Sequence, residues 1–286
     1  MLAPLVFSWI CPQICSRSHA AATPSPSGTM ASFAEYLATR QANRQHFAAS
    51  YPYATAAVDT TLSVFAALAE QLRIGYDHNG KSHVSLAPFY FILQRQAMTA
   101  FESLSVNQAY AAWVAVRTGI ESALIMGKWV DAKENAHIWE RRLTDRTAYR
   151  QAYEGKALRS ASMSRSPRIQ QALSHINDRF LHPNPEYYFR HLSSEELPSG
   201  EISLELNFFD NEQAVSVGLL SLLHLISVVQ DDIAMMFTSL FVDTPRLDVR
   251  LADLEANGAE FRATAGQRSA EAEWLLVNIG LWPAVP

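Results

Sequence analysis

The stretch Val106 to Val130, VNQAYAAWVAVRTGIESALIMGKWV, is helix-length, apolar on nearly every side, and carries Arg117 and Glu121 one turn apart. At about 100° per residue, Tyr110, Trp113, Val114, Ile120, Leu124 and Ile125 surround Arg117. The opposite face is small: Ala111, Ala112, Ala115, Gly119, Ser122 and Ala123. A helix that is hydrophobic all round is a buried helix. We therefore expect Arg117 and Glu121 in low dielectric, where an unpaired charge is costly and each needs a partner.

Upstream of this stretch, Ser32 and Glu35 form a capping box that opens a helix reaching about Ser50, where Pro52 interrupts it. Ala54 to Gly75 follows, with Val58, Leu62, Phe65, Leu68 and Leu72 at the three- and four-residue spacing of a core-facing stripe. Asp77 to Ser82, DHNGKS, has an Asn-Gly turn signal; its GKS lacks the upstream glycine and preceding strand of a phosphate loop. Pro88 suits a first helical turn, and Phe89, Ile92, Leu93 and Met98 are core candidates of the helix that runs to about Leu104.

Downstream, Asp131 with Glu134 reads as a capping box for a long charged helix to about Ser160, with Ile138, Trp139, Leu143 and Tyr153 as its apolar seam. A solvated outer helix is expected; the alternative, a basic face of Arg142, Arg146 and Arg150 for RNA, needs a positive surplus that Glu140, Asp145 and Glu154 largely cancel. Ser166-Pro167 reads as N-cap and first turn of a helix that ends at His182-Pro183. Tyr187 to Leu192 and Ile202 to Phe208 read as two short strands turned by Pro198-Ser199-Gly200, and Ile202, Leu204, Leu206 and Phe208 alternate with polar residues as on a half-buried strand. Asp210 with Gln213 opens a long apolar helix whose longest run is short of a membrane span and which His224 and Asp231-Asp232 interrupt. Thr244-Pro245 starts a last amphipathic helix with Leu247, Leu251 and Leu254, and the apolar end EWLLVNIGLWP is expected to dock on the bundle.

Composition bounds what such a chain can do. Its 286 residues carry a net charge of −5 and 18% charged residues, so nothing draws it globally to nucleic acid or an anionic membrane. Cys11 and Cys15, the only cysteines, both lie in residues 1–30, which leaves the remainder without a thiol for a disulfide, a Cys-ligated zinc or a nucleophile. Residues 1–30 read as a disordered or mis-assigned leader with the true start near Met30, or as a secretory signal lacking its basic n-region. We expect a mainly α fold: a single bundle of seven to eight helices over 31–286, with a small antiparallel β-hairpin insertion near 187–208. A cytoplasmic protein without metal or cofactor is expected, and a homo-oligomer is compatible with the sequence.

Two groups of polar residues stand where packing alone does not need them. Arg168, His175, Arg179 and His182 fall within roughly 60° on the helical wheel, beside the apolar Ile169, Leu173, Ile176 and Phe180. Such a stripe is either a solvent-facing basic edge or a site that holds an anion, with histidine as general acid or base and arginine as charge stabiliser. His224 sits among Leu220, Leu223 and Val228 with Asp231 two turns on. It reads as a satisfied core histidine. Neither HExxH, nor paired ExxH, nor Cys spacing supports a metal among these residues.

Arg168 and His175, six residues between them, resemble the Arg-x(4 to 6)-His motif of HEPN-type ribonucleases, helical bundles of toxin and phage-defence systems. The chain departs from that pattern at Ile169, where the family favours a polar residue, and in the close spacing of Arg179 and His182. That resemblance implies a metal-independent ribonuclease with His175 or His182 as acid/base and Arg168 or Arg179 on the phosphate. The chain is also similar, over roughly residues 50 to 240, to uncharacterised bacterial helical proteins that combine a buried Arg-x-x-x-Glu, here Arg117 and Glu121, with a Leu-His-Pro, here Leu181-His182-Pro183. This second resemblance implies no established activity. Our leading expectation is a binding or regulatory module in which Arg117 and Glu121 meet His182 or His224; a structural interaction protein is the third class.

Overall fold

The computed structural model describes residues 32–76, 80, 83–181 and 191–241. The leader 1–30, most of the DHNGKS loop, His182, nearly all of the first expected strand, and the segments from Thr244 onward lie outside the described residues. Within them the protein is mainly helical, with eight α-helices. These are α1 Phe33–Ser50, α2 Pro52–Ile74, α3 Ala87–Ser105, α4 Ala109–Asp131, α5 Lys133–Glu140, α6 Arg146–Tyr153, α7 Ser166–Ile176 and α8 Glu212–Leu240.

The quoted stretch is indeed the centre of the packing. Helices α3 and α4 form an antiparallel pair with the most extensive contact in the molecule, closed at one end by Phe89 edge-on to Trp129 at 4.8 Å. At the other end α3 stops in a Schellman motif: Asn107 N–H donates to Leu104 O at 3.0 Å and Gln108 N–H to Ser103 O at 2.9 Å. Asn107 adopts φ 59°, the left-handed conformation that asparagine tolerates. This is why α4 begins at Ala109 rather than at Val106, since Val106 to Gln108 belong to the cap of the preceding helix.

Helix α8 runs beside α4 in the same direction and antiparallel to α3. Gly218 lies so close to Leu104 that a Cβ there would stand 3.0 Å from its side chain, while Tyr90 and Phe237 pack ring to ring at 6.4 Å near the far end. Helix α2 covers α8, fixed by Gln230 Nε2 donating to Thr61 O at 2.9 Å. Phe65, Leu68, Tyr90, Leu93, Val116, Ile120, Leu124, Ile226, Val229 and Phe237 form one continuous core through these four helices. The Val217–Leu240 stretch of α8 is, contrary to expectation, long and apolar enough by length and composition to cross a membrane, and 65% of its most apolar window is buried in the bundle.

Several expected boundaries are corrected. The long charged helix from Asp131 is two short ones, α5 and α6, broken by turns at Arg141–Thr144 and followed by a 3-10 turn at Gly155–Leu158. Asp131 caps nothing in α5, whose N-cap position is Ala132; it ends α4 and turns its carboxylate to a distant loop. Leu143, expected in the seam, is 87% exposed because it lies in the turn between α5 and α6. Ser166 is the first residue of α7, with Arg165 at the cap position. Asp210 is not the cap of α8; Asn211 is, its Oδ1 accepting from Ala214 N–H. Ile92 and Met98 face out of α3 rather than into the core. By contrast, Ser32 caps α1 by accepting from Glu35 N–H at 3.1 Å.

Leu192–Glu196 and Ile202–Leu206 pair antiparallel, Leu192 opposite Leu206 and Glu196 opposite Ile202. The expected half-burial of the second strand is corrected. Ile202 and Leu204 are each 69% exposed, because the strands make their principal contacts with one another.

Candidate functional site

Helix α7 is the element on which the candidate residues are hung, and its own geometry divides them. Its buried side is Ile169, Ala172, Leu173 and Ile176, packed on α4. At 100° per residue, Arg168 and His175 flank that side on one edge, and Gln170, Ser174 and Asn177 flank it on the other. The two edges are roughly 160° apart.

Arg117 projects from α4 to the second edge. Its Nε donates to Asn177 Oδ1 at 2.7 Å, and Nη1 stands 3.3 Å from Glu121 Oε2. Nη2 has no partner among the described residues. The side chains keep 32% and 30% of their exposure, so the expectation of a sealed, low-dielectric pair is corrected. Asn177 can reach Arg117 because α7 widens there into a π-turn, Asn177–Leu181. Phe180 of the same turn stacks on Trp113 at 5.4 Å. Such a widened turn is uncommon and recurs at functional sites.

Glu121 also faces α6. The Tyr149 phenol is pushed up from its ordinary value, first by burial and then by the charges of Glu121 and Glu154, with Arg142 opposing. Tyr149 stacks against Tyr153 at 5.3 Å and meets Trp139 at 6.1 Å. Arg142 closes this aromatic side with its guanidinium 3.5 Å above the Trp139 ring. The polar seam of α4 and α7 is therefore walled by aromatic rings from α5 and α6.

The histidine stripe lies on the other edge and does not meet Arg117. Arg168 is exposed. His175 is half-buried, its Nε2 is sealed without a hydrogen-bond partner, and its proton affinity is lowered by burial and by the Arg179 charge, with Asp178 opposing. Arg179 is half-buried in the π-turn. His182 lies outside the described residues.

His224 and Asp231 belong to a third place, the start of α7. Arg165 Nη1 pairs with Asp231 Oδ2 at 3.2 Å. The neighbouring Asp232, almost wholly buried, accepts from Arg165 N–H at 2.7 Å and Ser164 Oγ at 3.1 Å. Burial drives the Asp232 carboxyl up, and these hydrogen bonds oppose it. His224 is pushed down to about 4, mainly by burial and then by Arg165, with Asp231 opposing. This cluster and the Arg117 pair stand at opposite ends of α7, whose eleven residues span about 16 Å. The expected convergence of Arg117 and Glu121 with His224 is not formed.

Two carboxylate knots went unread in the sequence. Asp131 accepts from Ser160 Oγ at 3.0 Å, Ala161 N–H at 2.9 Å and Ser162 N–H at 2.7 Å, tying the serine-rich loop to the end of α4. Asp210 accepts from Ala109 N–H at 2.7 Å, capping α4 from 101 residues away in the chain, and pairs with His191 at 3.3 Å in a site where both side chains are at most 10% exposed. The only local signal was an aspartate before a helix, which also fits an ordinary cap.

Among the described residues no group of three or more His, Cys, Asp or Glu is arranged to hold a metal ion. No family model, no curated protein and no solved structure matches the chain.

Proposed function

We propose that the chain is a cytoplasmic helical binding or regulatory module whose recognition element is Arg117 at the α4–α7 seam. The small strand pair is an insertion between α7 and α8. One observation carries this: two nitrogens of the guanidinium are committed, to Asn177 and Glu121, while Nη2 has no partner among the described residues and the side chain is one-third exposed. A guanidinium held in a fixed plane with one edge open suits a carboxylate or phosphate oxygen. Glu121 sets the plane and limits the charge that can enter.

The test is the melting temperature of the full chain against rising inorganic phosphate and acetate. A ligand that binds the folded state raises it by mass action. The rise should be present in the wild type and lost in Arg117→Lys, which keeps the charge but not the fork. Equal responses in both proteins, or none in either, overturn the reading.

A second reading, the HEPN-like ribonuclease, is supported by His175. A histidine of lowered proton affinity is neutral near pH 7 and able to accept a proton, with Arg168 and Arg179 on the same edge. His175→Ala, Arg179→Ala and His182→Ala should then abolish RNA cleavage without changing the melting temperature. No cleavage by the wild type removes this reading and leaves the first intact.

A further inference from the structure

The edge of α7 that receives Arg117 continues along the helix as a row of polar side chains. Gln170, Ser174 and Asn177 lie within roughly 60° of one another on the helical wheel. Gln170 is 6% exposed and donates from Nε2 to Ser174 Oγ at 2.9 Å. Its Oε1 is thereby left for a second guanidinium, and Arg159 Nη2 donates to it at 3.3 Å. Arg117 and Arg159 are thus held in one way, each by an amide carbonyl on the same edge of the same helix. The two amides stand seven residues apart, about 10 Å along the axis.

Both arginines reach that edge from one side. Helices α4 and α7 are antiparallel: Trp113 stacks on Phe180 and Arg117 meets Asn177 near one end, and Gly127 lies against Ser160 and Met163 near the other. Arg159 follows the 3-10 turn Gly155–Leu158, which touches α4, α6 and α7. On α6, Tyr149 feels the charge of Glu121. Helix α4, that turn and the polar edge of α7 therefore border one groove, in which Arg117 is one-third exposed and Arg159 is exposed.

Donors along this groove are unspent among the described residues. Arg117 keeps Nη2 open beside its bonds to Asn177 and Glu121. The remaining nitrogens of Arg159 bond nothing. Ser174 accepts from Gln170 but gives its own hydroxyl proton to no acceptor, whereas Ser122 donates to Thr118 O at 2.9 Å. Ser174 stands between the two amides in the row. The charges of α4 add to the positive side: Lys128 falls within about 20° of Arg117 on the wheel, Glu121 is the carboxylate between them, and Asp131 is taken up by the serine loop.

We propose, resting on the Arg117 reading above, that the ligand of this groove is a linear oligophosphate, free or carried by a nucleotide, lying along α7 from Arg117 past Ser174 to Arg159. Phosphate oxygens suit the guanidinium fork at both ends. An anion with oxygens along its whole length also meets the Ser174 hydroxyl, which a diacid with an apolar middle leaves unpaired. Two anchors joined by one chain raise affinity only when the chain spans them.

The melting temperature of the full chain, read at fixed ionic strength against orthophosphate, pyrophosphate, tripolyphosphate and tetrapolyphosphate, tests the proposal. From orthophosphate to tetrapolyphosphate the half-maximal concentration should fall by about tenfold or more in the wild type, and by less than about threefold in Arg159→Gln. Arg95→Gln, which removes an exposed charge from α3, should keep the full gain. No gain in the wild type, a gain that survives in Arg159→Gln, or one lost equally in Arg95→Gln overturns the oligophosphate, while an orthophosphate response that needs Arg117 keeps the site itself. No response to any phosphate overturns both. ATP run beside tripolyphosphate separates the sources: tighter binding of ATP assigns the chain to a nucleotide and weaker binding to free oligophosphate, and either supports the shared chemistry.

Discussion

His191 Nε2 donates to Asp210 Oδ1 at 3.3 Å, deep enough that neither side chain is more than 10% exposed. Through the other oxygen of the same carboxylate this pair holds the first amide of α4, and Asn207 N–H bonds His191 O at 2.7 Å. The base of the strand pair, the approach to α8 and the start of the central helix thus meet at one ion pair.

Stability should therefore depend on pH from this site. The hydrogen bond to Asp210 raises the proton affinity of His191, burial opposes, and the Asp210 charge and two backbone carbonyls add to the rise. Folding binds that proton more tightly, so its stabilisation is complete below about pH 6.5, the unfolded histidine value, and fades as pH climbs through the higher folded value. Urea midpoints should fall between neutral and mildly alkaline pH in the wild type, and His191→Gln should flatten that limb. An unchanged limb in the variant refutes the assignment.

His224 produces the opposite limb. Its folded value of about 4 lies below the unfolded one, so stability is full above about pH 6.5 and is lost as pH falls toward 4, by an amount on the order of 3 kcal/mol. His224→Gln should remove most of that acid-side loss. His175, lowered in the same direction, leaves a smaller remainder. With His191 acting on the alkaline side, stability should fall on both sides of an intermediate pH, which a urea series across pH locates directly.

Glu121→Gln should cost less than about 1 kcal/mol, because a one-third exposed i,i+4 pair is solvated and weak. A sealed pair would lose several times more. Asn177→Ala should shift the Arg117 side-chain Nε–H resonance in a proton–nitrogen spectrum, since its 2.7 Å acceptor is gone.

Asp131→Ala should destabilise by about 1–2 kcal/mol, as it removes the shared acceptor of Ser160 Oγ, Ala161 N–H and Ser162 N–H, although Ala161 is exposed and Ser162 N–H keeps Ser160 Oγ at 3.2 Å. Asp131→Asn, which keeps an acceptor oxygen, should recover part of the loss in the same urea titration. No recovery would assign the effect to charge rather than to hydrogen bonding.

Gly127→Ala tests the packing beneath that loop. An added Cβ would stand 2.7 Å from Ser160 Oγ and 2.8 Å from Met163 Sδ, and overpacking of this kind costs about 1–3 kcal/mol. The thermal midpoint should fall, although alanine is the better helix former by about 1 kcal/mol. A rise would mean that the loop yields.

What the sequence by itself determined is local. The periodicity of α2, α4 and α8, the Ser32 cap and the central place of the quoted stretch follow from the 3.6-residue repeat and from side chains that bond within three or four positions. Only the tertiary structure decided where the charges went. Asp131 and Asp210 both precede helical sequence, and by sequence each fits an ordinary cap as well as a long-range knot. The choice depends on which amides the fold brings within 3 Å, and those lie 29 to 101 residues away. Likewise, an apolar helix argued that Arg117 and Glu121 were sealed. Their exposure is set by α7, whose π-turn presents Asn177 to one edge of the pair and keeps the histidine stripe on the other, because a helix cannot turn two edges roughly 160° apart toward the same neighbour.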